Sequence, residues 1–567
     1  MMVADVVRTG LGVAATPVQA LARGVRRMVT GPKCVLDVPV RRLADVRART
    51  QWLDRFHQIG QDSAVAAVLL RIEATPGGWA ATADLRSSIT ALRGSGTPVY
   101  AMVETPGTAV LWLASACDEV ICLPTGQVSL LGIGAELTFF GAALEQLGVA
   151  PDFEAAGAYK SFGEAYTRSF ASVASQEAIG ALIEGLHGSV MAEICEARGL
   201  SAASLDKALA DAPLAADEAF ELGLVDALRY EDQLRDWLKE THGKGIRLLD
   251  WARWAGFATV LAELAKVRAS GDGVAVLYLD GPIVMDRSSR GSSIRARKVI
   301  AAIRQLRHND RVKAVVLYVN SPGGSALASD LIWREVDLLH RDKPVVACFE
   351  DVAASGGYYL SAPAHEIMLR KGTLTGSIGV FGGKVVLGGG LRKLGVHSQQ
   401  MAAAPNVHVM SASQRFTPAQ RVRFRQSLER VYGDFVQRVA TGRDVPEDEI
   451  EPHCRGRVWT GTDAVERGLA DGLGGLADAV ERARVLASLP RTAPRLDVST
   501  VPRPSVAERV MQQAVPGMAQ AALPPVLSWA AAMGGRLGSE RLVQALELLT
   551  EHSGQAMAMM PFDVDVL

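Results

Sequence analysis

Apolar runs rich in β-branched residues alternate with amphipathic stretches along most of the chain. VAAVLLRI (65–72) and VKAVVLYV (312–319) read as buried strands, apolar on both faces. ADLRSSITALRGS (83–95) and ASDLIWREVDLLHRD (328–342) follow them with helical spacing. This strand–turn–helix alternation implies α/β units around a mostly parallel sheet.

The pattern occurs twice, with a period of about 246 residues. CVLDVPV (34–40) answers AVLYLDGPI (275–283), and DSAVAAVLLRIEATPGG (62–78) answers DRVKAVVLYVNSPGG (310–324). PVYAMVETPGTAVLWLASACDEVICL (98–123) answers the stretch beginning PVVACFEDVAASGGYYL at 344. LEQLGVAPDF (144–153) answers LRKLGVHSQQ (391–400), and ADEAFELGLVDAL (216–228) answers TDAVERGLADGL (462–473). Matches in constant order over such a length imply an internal duplication. The expected organisation is an N-terminal amphipathic segment (1–30), a first repeat (31–244), a helical connector (245–270), a second repeat (271–490) and a helical C-terminal extension (491–567). The glycine-rich run GVFGGKVVLGGGLRKLGV (379–396) lacks the spacing of a phosphate or dinucleotide loop and reads as turns.

Differences between the copies mark candidate chemistry. An apolar strand ends at Ser355, followed by Gly356, Gly357 and a small-residue helix, whereas the first copy has Ala109 there. A hydroxyl at such a turn lies beside unpaired helical N–H groups, which suits a nucleophile and equally an N-cap. The reciprocal difference is Lys160, in GAYKSFGEAYTRSF, opposite Val407 of the second copy. One copy keeps a serine and the other a lysine, as a split Ser/Lys pair would leave them. Lysine is a base only when neutral, which requires burial to lower its pKa from about 10.4; Tyr159 and Phe162 beside it suit such a site. His365, His397 and His408 have no comparable argument from the repeat, and residues 353–357 are AASGG, not G-x-S-x-G.

Composition narrows the class. A formal charge of −1 gives no basic field of the size nucleic acid requires. The six cysteines are scattered, without C-x-x-C or zinc spacing, and read as buried free thiols. Only about fourteen uncharged residues separate Arg8 from Arg23, too few for a membrane span of about twenty. An amphipathic surface helix ending in Arg23, Arg26 and Arg27 fits better, with a peripheral membrane contact as its consequence. The apolar, methionine-rich tail after about residue 500 reads as a docking helix pair, with a peripheral membrane contact as the alternative.

YVNSPGGS (318–325), VAASGGYYLS (352–361), TLTGSIGVFGG (373–383), RVWTGTDAVERGLADGLG (457–474) and AYKSFGEAYTR (158–168) together resemble the long-form signal peptide peptidases of the SppA (protease IV) family. The resemblance spans roughly residues 34–490 and implies two tandem ClpP/crotonase-like α/β domains. It implies Ser355 as nucleophile, Lys160 as general base, Gly323, Gly324 and Gly356 as the oxyanion hole, and Ser377 as a hydrogen-bond partner of the lysine. No metal or cofactor is implied. Apolar, signal-peptide-like substrates, a homotetramer and an inner-membrane association are implied, although the N-terminal segment is a weak anchor and a peripheral or cytoplasmic location is the alternative. A crotonase-type acyl-CoA enzyme and a catalytically silent scaffold are the rival readings. The first leaves the Ser/Lys reciprocity unexplained, and the intact Ser355, Lys160 and Ser377 argue against the second.

Overall fold

The computed structural model describes residues 33–43, 45–256, 271–285, 292–499 and 557–559. The N-terminal segment 1–30, residues 257–270 of the connector and most of the tail after 499 lie outside the described residues. The chain divides into two compact units: Met1–Gly134 with Ile183–Gly271, and Ala135–Leu182 with Asp272–Leu567.

The first unit is built on Cys34–Val40 (β1), Val65–Ile72 (β2), Val99–Val103 (β3) and Glu119–Cys122 (β4), with Ala227–Leu228 (β8) and Arg247–Asp250 (β9) at the edges. The order is β8-β4-β3-β2-β1-β9, with every neighbouring pair parallel. Gln127–Val128 (β5) and Leu214–Ala215 (β7) form a separate antiparallel pair. Leu36, Val38, Val68 and Leu70 of the sheet pack with Leu85 and Ile89 of the helix Trp79–Gly94 in one core. Burying each such side chain contributes about 1.5–3 kcal/mol.

The second unit repeats this order. Gly273–Asp280 (β10), Val312–Ser321 (β13), Val345–Ala354 (β15), Glu366–Leu369 (β16), Gly472–Leu473 (β20) and Arg495–Ser499 (β21) form β20-β16-β15-β13-β10-β21, again parallel throughout. The duplication read from the sequence is thus present strand for strand. The far half of β15 carries a further pairing, to Leu374–Gly376 (β17), which pairs in turn with Val458–Thr460 (β19). A third sheet joins Ala150–Ala156 (β6), Ile283–Val284 (β11), Ile294–Arg295 (β12), Gly323–Ser325 (β14), Val380–Val386 (β18) and Met557–Met559 (β22) in the order β12-β11-β14-β22-β18-β6.

Three expectations are corrected. The connector expected as helix from 245 opens with β9, because Leu248 and Leu249 extend the parallel sheet beside Val35 and Leu36; helix begins only at 251. The run 379–396, read as turns, contains β18 and the helix Gly388–Lys393. Its glycines permit close approach between strands: a Cβ on Gly383 would lie 2.3 Å from the Asp152 carbonyl oxygen of β6. The tail expected as helical contributes two strands where it is described, β21 on the edge of β10 and β22 within the third sheet. One helix among the described residues, Val173–Arg198, is long and apolar enough by length and composition to cross a membrane. The same properties suit a core helix of a soluble protein.

Candidate active site

Ser355 sits between the end of β15 and the helix Gly356–Ser361, at φ 54° and ψ −113°. An L-residue held there costs on the order of 1–3 kcal/mol, a strain that clusters at functional sites. Its hydroxyl makes no capping bond to the helix, so the plain N-cap alternative is not realised. The corresponding helix of the first copy, Thr108–Ala114, is entered through Gly107 in ordinary extended space. The strain therefore accompanies the serine. Backbone bonds hold the turn: Ser355 N–H donates to Gly376 O at 2.8 Å, and Tyr359 N–H donates to Ser355 O at 2.8 Å.

Lys160 lies four residues beyond the end of β6. Antiparallel pairing of β6 with β18 places Ala156 opposite Val380. The chain leaving β6 therefore runs beside the chain entering β18, which carries Ser377. Lys160 and Ser377 are both brought to Ser355, within the second unit. Lys160 Nζ is 2.7 Å from Ser355 Oγ, 2.9 Å from the Ser377 carbonyl oxygen and 2.9 Å from Ser377 Oγ. Ser355 Oγ is also 3.4 Å from the Gly379 carbonyl oxygen, a long hydrogen bond. Ser355 and Ser377 are fully buried and Lys160 is 4% exposed. Burial pushes the lysine well below its ordinary pKa, since no water remains to solvate an ammonium ion.

Two features secure the lysine. Residues 455–457 are stitched to both neighbouring segments: Tyr159 N–H donates to Arg455 O at 2.8 Å, Gly456 N–H to Ile378 O at 2.7 Å, and Ser377 N–H to Arg457 O at 2.6 Å. Buried Asp152 and Glu154 on β6 pair with Arg421, and Glu154 also pairs with Arg425 at 2.6 Å, fixing β6 against the helix Pro418–Arg443. Phe162 packs on Phe381 of β18 with ring centroids 4.6 Å apart. Tyr159 directs its hydroxyl to Glu177, donating at 3.1 Å.

The expected oxyanion residues lie on two adjoining turns. Gly356 directly follows Ser355, and first-turn N–H groups have no intrahelical acceptor. Gly323 and Gly324 begin β14, separated by Pro322 from Ser321, which lies opposite Ala353 of β15. The two turns are close: a Cβ on Gly357 would lie 3.0 Å from the Ser321 carbonyl oxygen. His365 lies elsewhere, its Nδ1 accepting from Val345 N–H at 3.1 Å. All six cysteines are free thiols, and burial raises Cys34 to about 11 and Cys117 to about 12. Among the described residues no group of three or more His, Cys, Asp or Glu is placed to hold a metal ion.

Sequence reasoning missed Gly456. At φ 80° it lies against Lys160, where a Cβ would come within 2.6 Å of the Lys160 nitrogen and 2.8 Å of its Cβ. The available signal was the glycine of RGR, just before the RVWTG stretch already singled out.

Comparison with known proteins identifies the family. The model of peptidase family S49 matches residues 91–245 and 337–490, more than half of the chain, and that of Clp protease matches 272–371. The chain is 31% identical over 452 residues to "Serine protease SPPA, chloroplastic" of Arabidopsis thaliana, covering 78% of this chain and 66% of that one. It is 32% identical over 410 residues to "Protease 4" of Salmonella typhi, covering 70% and 65%. "Protease 4" of Haemophilus influenzae is 28% identical over 413 residues, covering 70% and 66%. The matched region spans just under two thirds of each relative's own length. The chain belongs to peptidase family S49.

Proposed function

We propose that this chain is a serine endopeptidase in which Ser355 attacks and Lys160 is the general base, with extended apolar peptides such as cleaved signal peptides as substrates. The observation that carries the reading is the 2.7 Å approach of Lys160 Nζ to Ser355 Oγ in a buried site. A neutral amine has two N–H groups and one lone pair. The two acceptors of Ser377, its carbonyl oxygen and its Oγ, take the N–H groups, and this leaves the lone pair for the Ser355 proton. The Ser355 alkoxide then adds to the peptide carbonyl carbon, and backbone N–H groups at Gly356 and the Gly323–Gly324 turn hold the resulting oxyanion. Collapse breaks the C–N bond as the lysine ammonium gives its proton to the leaving amine. Water, deprotonated by the same lysine, then hydrolyses the ester. The same reading carries a homotetrameric assembly and an inner-membrane association, with a peripheral or cytoplasmic location as the alternative, which sedimentation and membrane fractionation test.

A fluorophosphonate probe with mass-spectrometric mapping, combined with hydrolysis of a quenched apolar peptide, tests the reading. Labelling at Ser355 that abolishes hydrolysis is expected. Tight acyl-CoA binding without labelling would turn the reading toward the crotonase-type alternative.

Ser377 acts here as a positioning residue. Ser377→Ala is expected to lower kcat by about 10–100-fold through misorientation of the amine. The ammonium ion would also lose an acceptor, so the acid limb of the pH profile should shift to lower pH. An unshifted limb would reduce Ser377 to a turn residue.

A further inference from the structure

Beside Lys160, within the second unit, Arg457, Glu177 and Tyr159 make a set of contacts that the mechanism above does not use. The Arg457 guanidinium lies over the rings of Tyr159 and Trp459, 5.0 and 4.5 Å from their centroids. Its Nη1 donates to Glu177 Oε1 at 2.5 Å and, at 3.4 Å, to the Tyr159 hydroxyl. That hydroxyl donates in turn to Glu177 Oε2 at 3.1 Å. Through its backbone the same arginine accepts the Ser377 N–H at 2.6 Å. A closed circuit results: Lys160 Nζ meets Ser377, Ser377 meets Arg457, Arg457 meets Tyr159, and Tyr159 is bonded to Lys160. The amine and its acceptor are joined directly and again through Arg457.

Stability is a poor account of this arrangement. The Glu177 side chain is 52% exposed, and ion pairs at such positions contribute little to stability. Arg457 Nε is buried without a hydrogen-bond partner, an unfavourable placement for a donor. The repeat adds an independent observation. Laying the helix Ala216–Glu221 on its counterpart Gly461–Glu466 puts Ala212 opposite Arg457. The arginine stands in the copy that keeps the serine, and the other copy has alanine.

We propose that Arg457, held by Glu177 and Tyr159, is a positioning residue that sets Lys160 and Ser377 against each other for proton transfer from Ser355. The proposal rests on the peptidase reading for the reaction it serves. Without the guanidinium, Tyr159 loses the group stacked on its ring, and the chain that carries Lys160 loses its side-chain tie to the segment that holds Ser377. An amine displaced by about 1 Å loses about 10²-fold in rate. Substrate binding does not enter this argument, so the effect falls on kcat and leaves KM nearly unchanged.

The full chain carrying Arg457→Ala, Glu177→Ala, both together, or Arg467→Ala tests this. Arg467 also lies over the Trp459 ring, 4.0 Å from its centroid, but pairs with Asp463 at 2.8 Å and serves as the control. For a quenched apolar peptide, kcat is expected to fall at least about tenfold in Arg457→Ala and at least about fivefold in Glu177→Ala, with KM within about twofold of wild type. The double variant should lie within about twofold of Arg457→Ala, because Glu177 acts through the arginine. Arg467→Ala should keep the wild-type kcat. Glu177→Ala changes a half-exposed side chain, so the test stands even if Arg457→Ala does not fold. Wild-type kcat in both Arg457→Ala and Glu177→Ala, fully additive losses in the double variant, or an equal loss in Arg467→Ala would overturn the proposal. The rate at which a fluorophosphonate probe labels Ser355 is a second readout and should fall in the same order. A wild type that labels but cleaves no peptide would sink the peptidase reading. Labelling would then decide the proposal alone: a slower rate in Arg457→Ala supports it and an unchanged rate overturns it, so the two failures are distinguishable.

Discussion

Lys160→Ala is expected to lower kcat/KM for an apolar peptide by about 10³-fold or more, and Ser355→Ala to do the same, because in the proposed mechanism the pair acts as a unit. The double variant should then be scarcely worse than either single one. For wild type, kcat/KM should rise with pH through the lysine's lowered pKa and level off above it, since only the neutral amine accepts the serine proton. Burial alone sets the direction of this shift, so the limb should lie far below an ordinary lysine value of about 10.4. A limb at the ordinary value, or full activity in Lys160→Ala, would eliminate the lysine as base.

The same burial has a signed consequence for stability. Between the folded and unfolded pKa values of Lys160, the unfolded chain holds the extra proton, so this group makes stability rise with pH across that window. Lys160→Met lacks the dependence. Its Tm relative to wild type should therefore grow as pH falls from about 10.4 toward the folded value, then become constant. A Tm difference that does not change with pH would mean that the folded lysine stays charged.

The juxtaposition of Ser355 and Lys160 was legible because the chain carries its own comparison. Two copies of one pattern, compared in sequence at Ser355/Ala109 and Lys160/Val407, single out both residues without reference to any other protein, although at the helix entry itself the first copy places Gly107, two residues before Ala109, where the second has Ser355. The parallel sheets were legible for a related reason: β2 and β13 bury both faces and announce themselves as continuous apolar runs. Glycine was the limit. In 379–396 it was read as turns, although Gly383 serves the contact between β18 and β6. A glycine that admits a neighbouring backbone looks the same in sequence as one that bends the chain. The tail failed differently. Met557–Met559 carry no strong strand signal, and their partners, Gly323–Ser325 and Phe381, lie far away in sequence.

Gly456 provides the second large effect, because it separates holding the lysine from being the lysine. Its φ of 80° already disfavours a side chain, and an added Cβ meets the backbone nitrogen of Lys160 at 2.6 Å and the root of its side chain at 2.8 Å. Neither is the flexible end of a side chain. The 455–457 segment is held by bonds to Ile378 on one side and Tyr159 on the other, so it has little freedom to retreat. Gly456→Ala must then displace Lys160 along its own backbone, moving Nζ off its 2.7 Å approach to Ser355. A misplacement of about 1 Å costs about 10²-fold in kcat, and the strained backbone about 1–3 kcal/mol of stability. The variant should remain folded by circular dichroism, while kcat falls and KM changes little. Wild-type kcat in Gly456→Ala would mean that the lysine tolerates displacement, and that the narrow geometry joining residues 456, 160 and 355 does not set the rate.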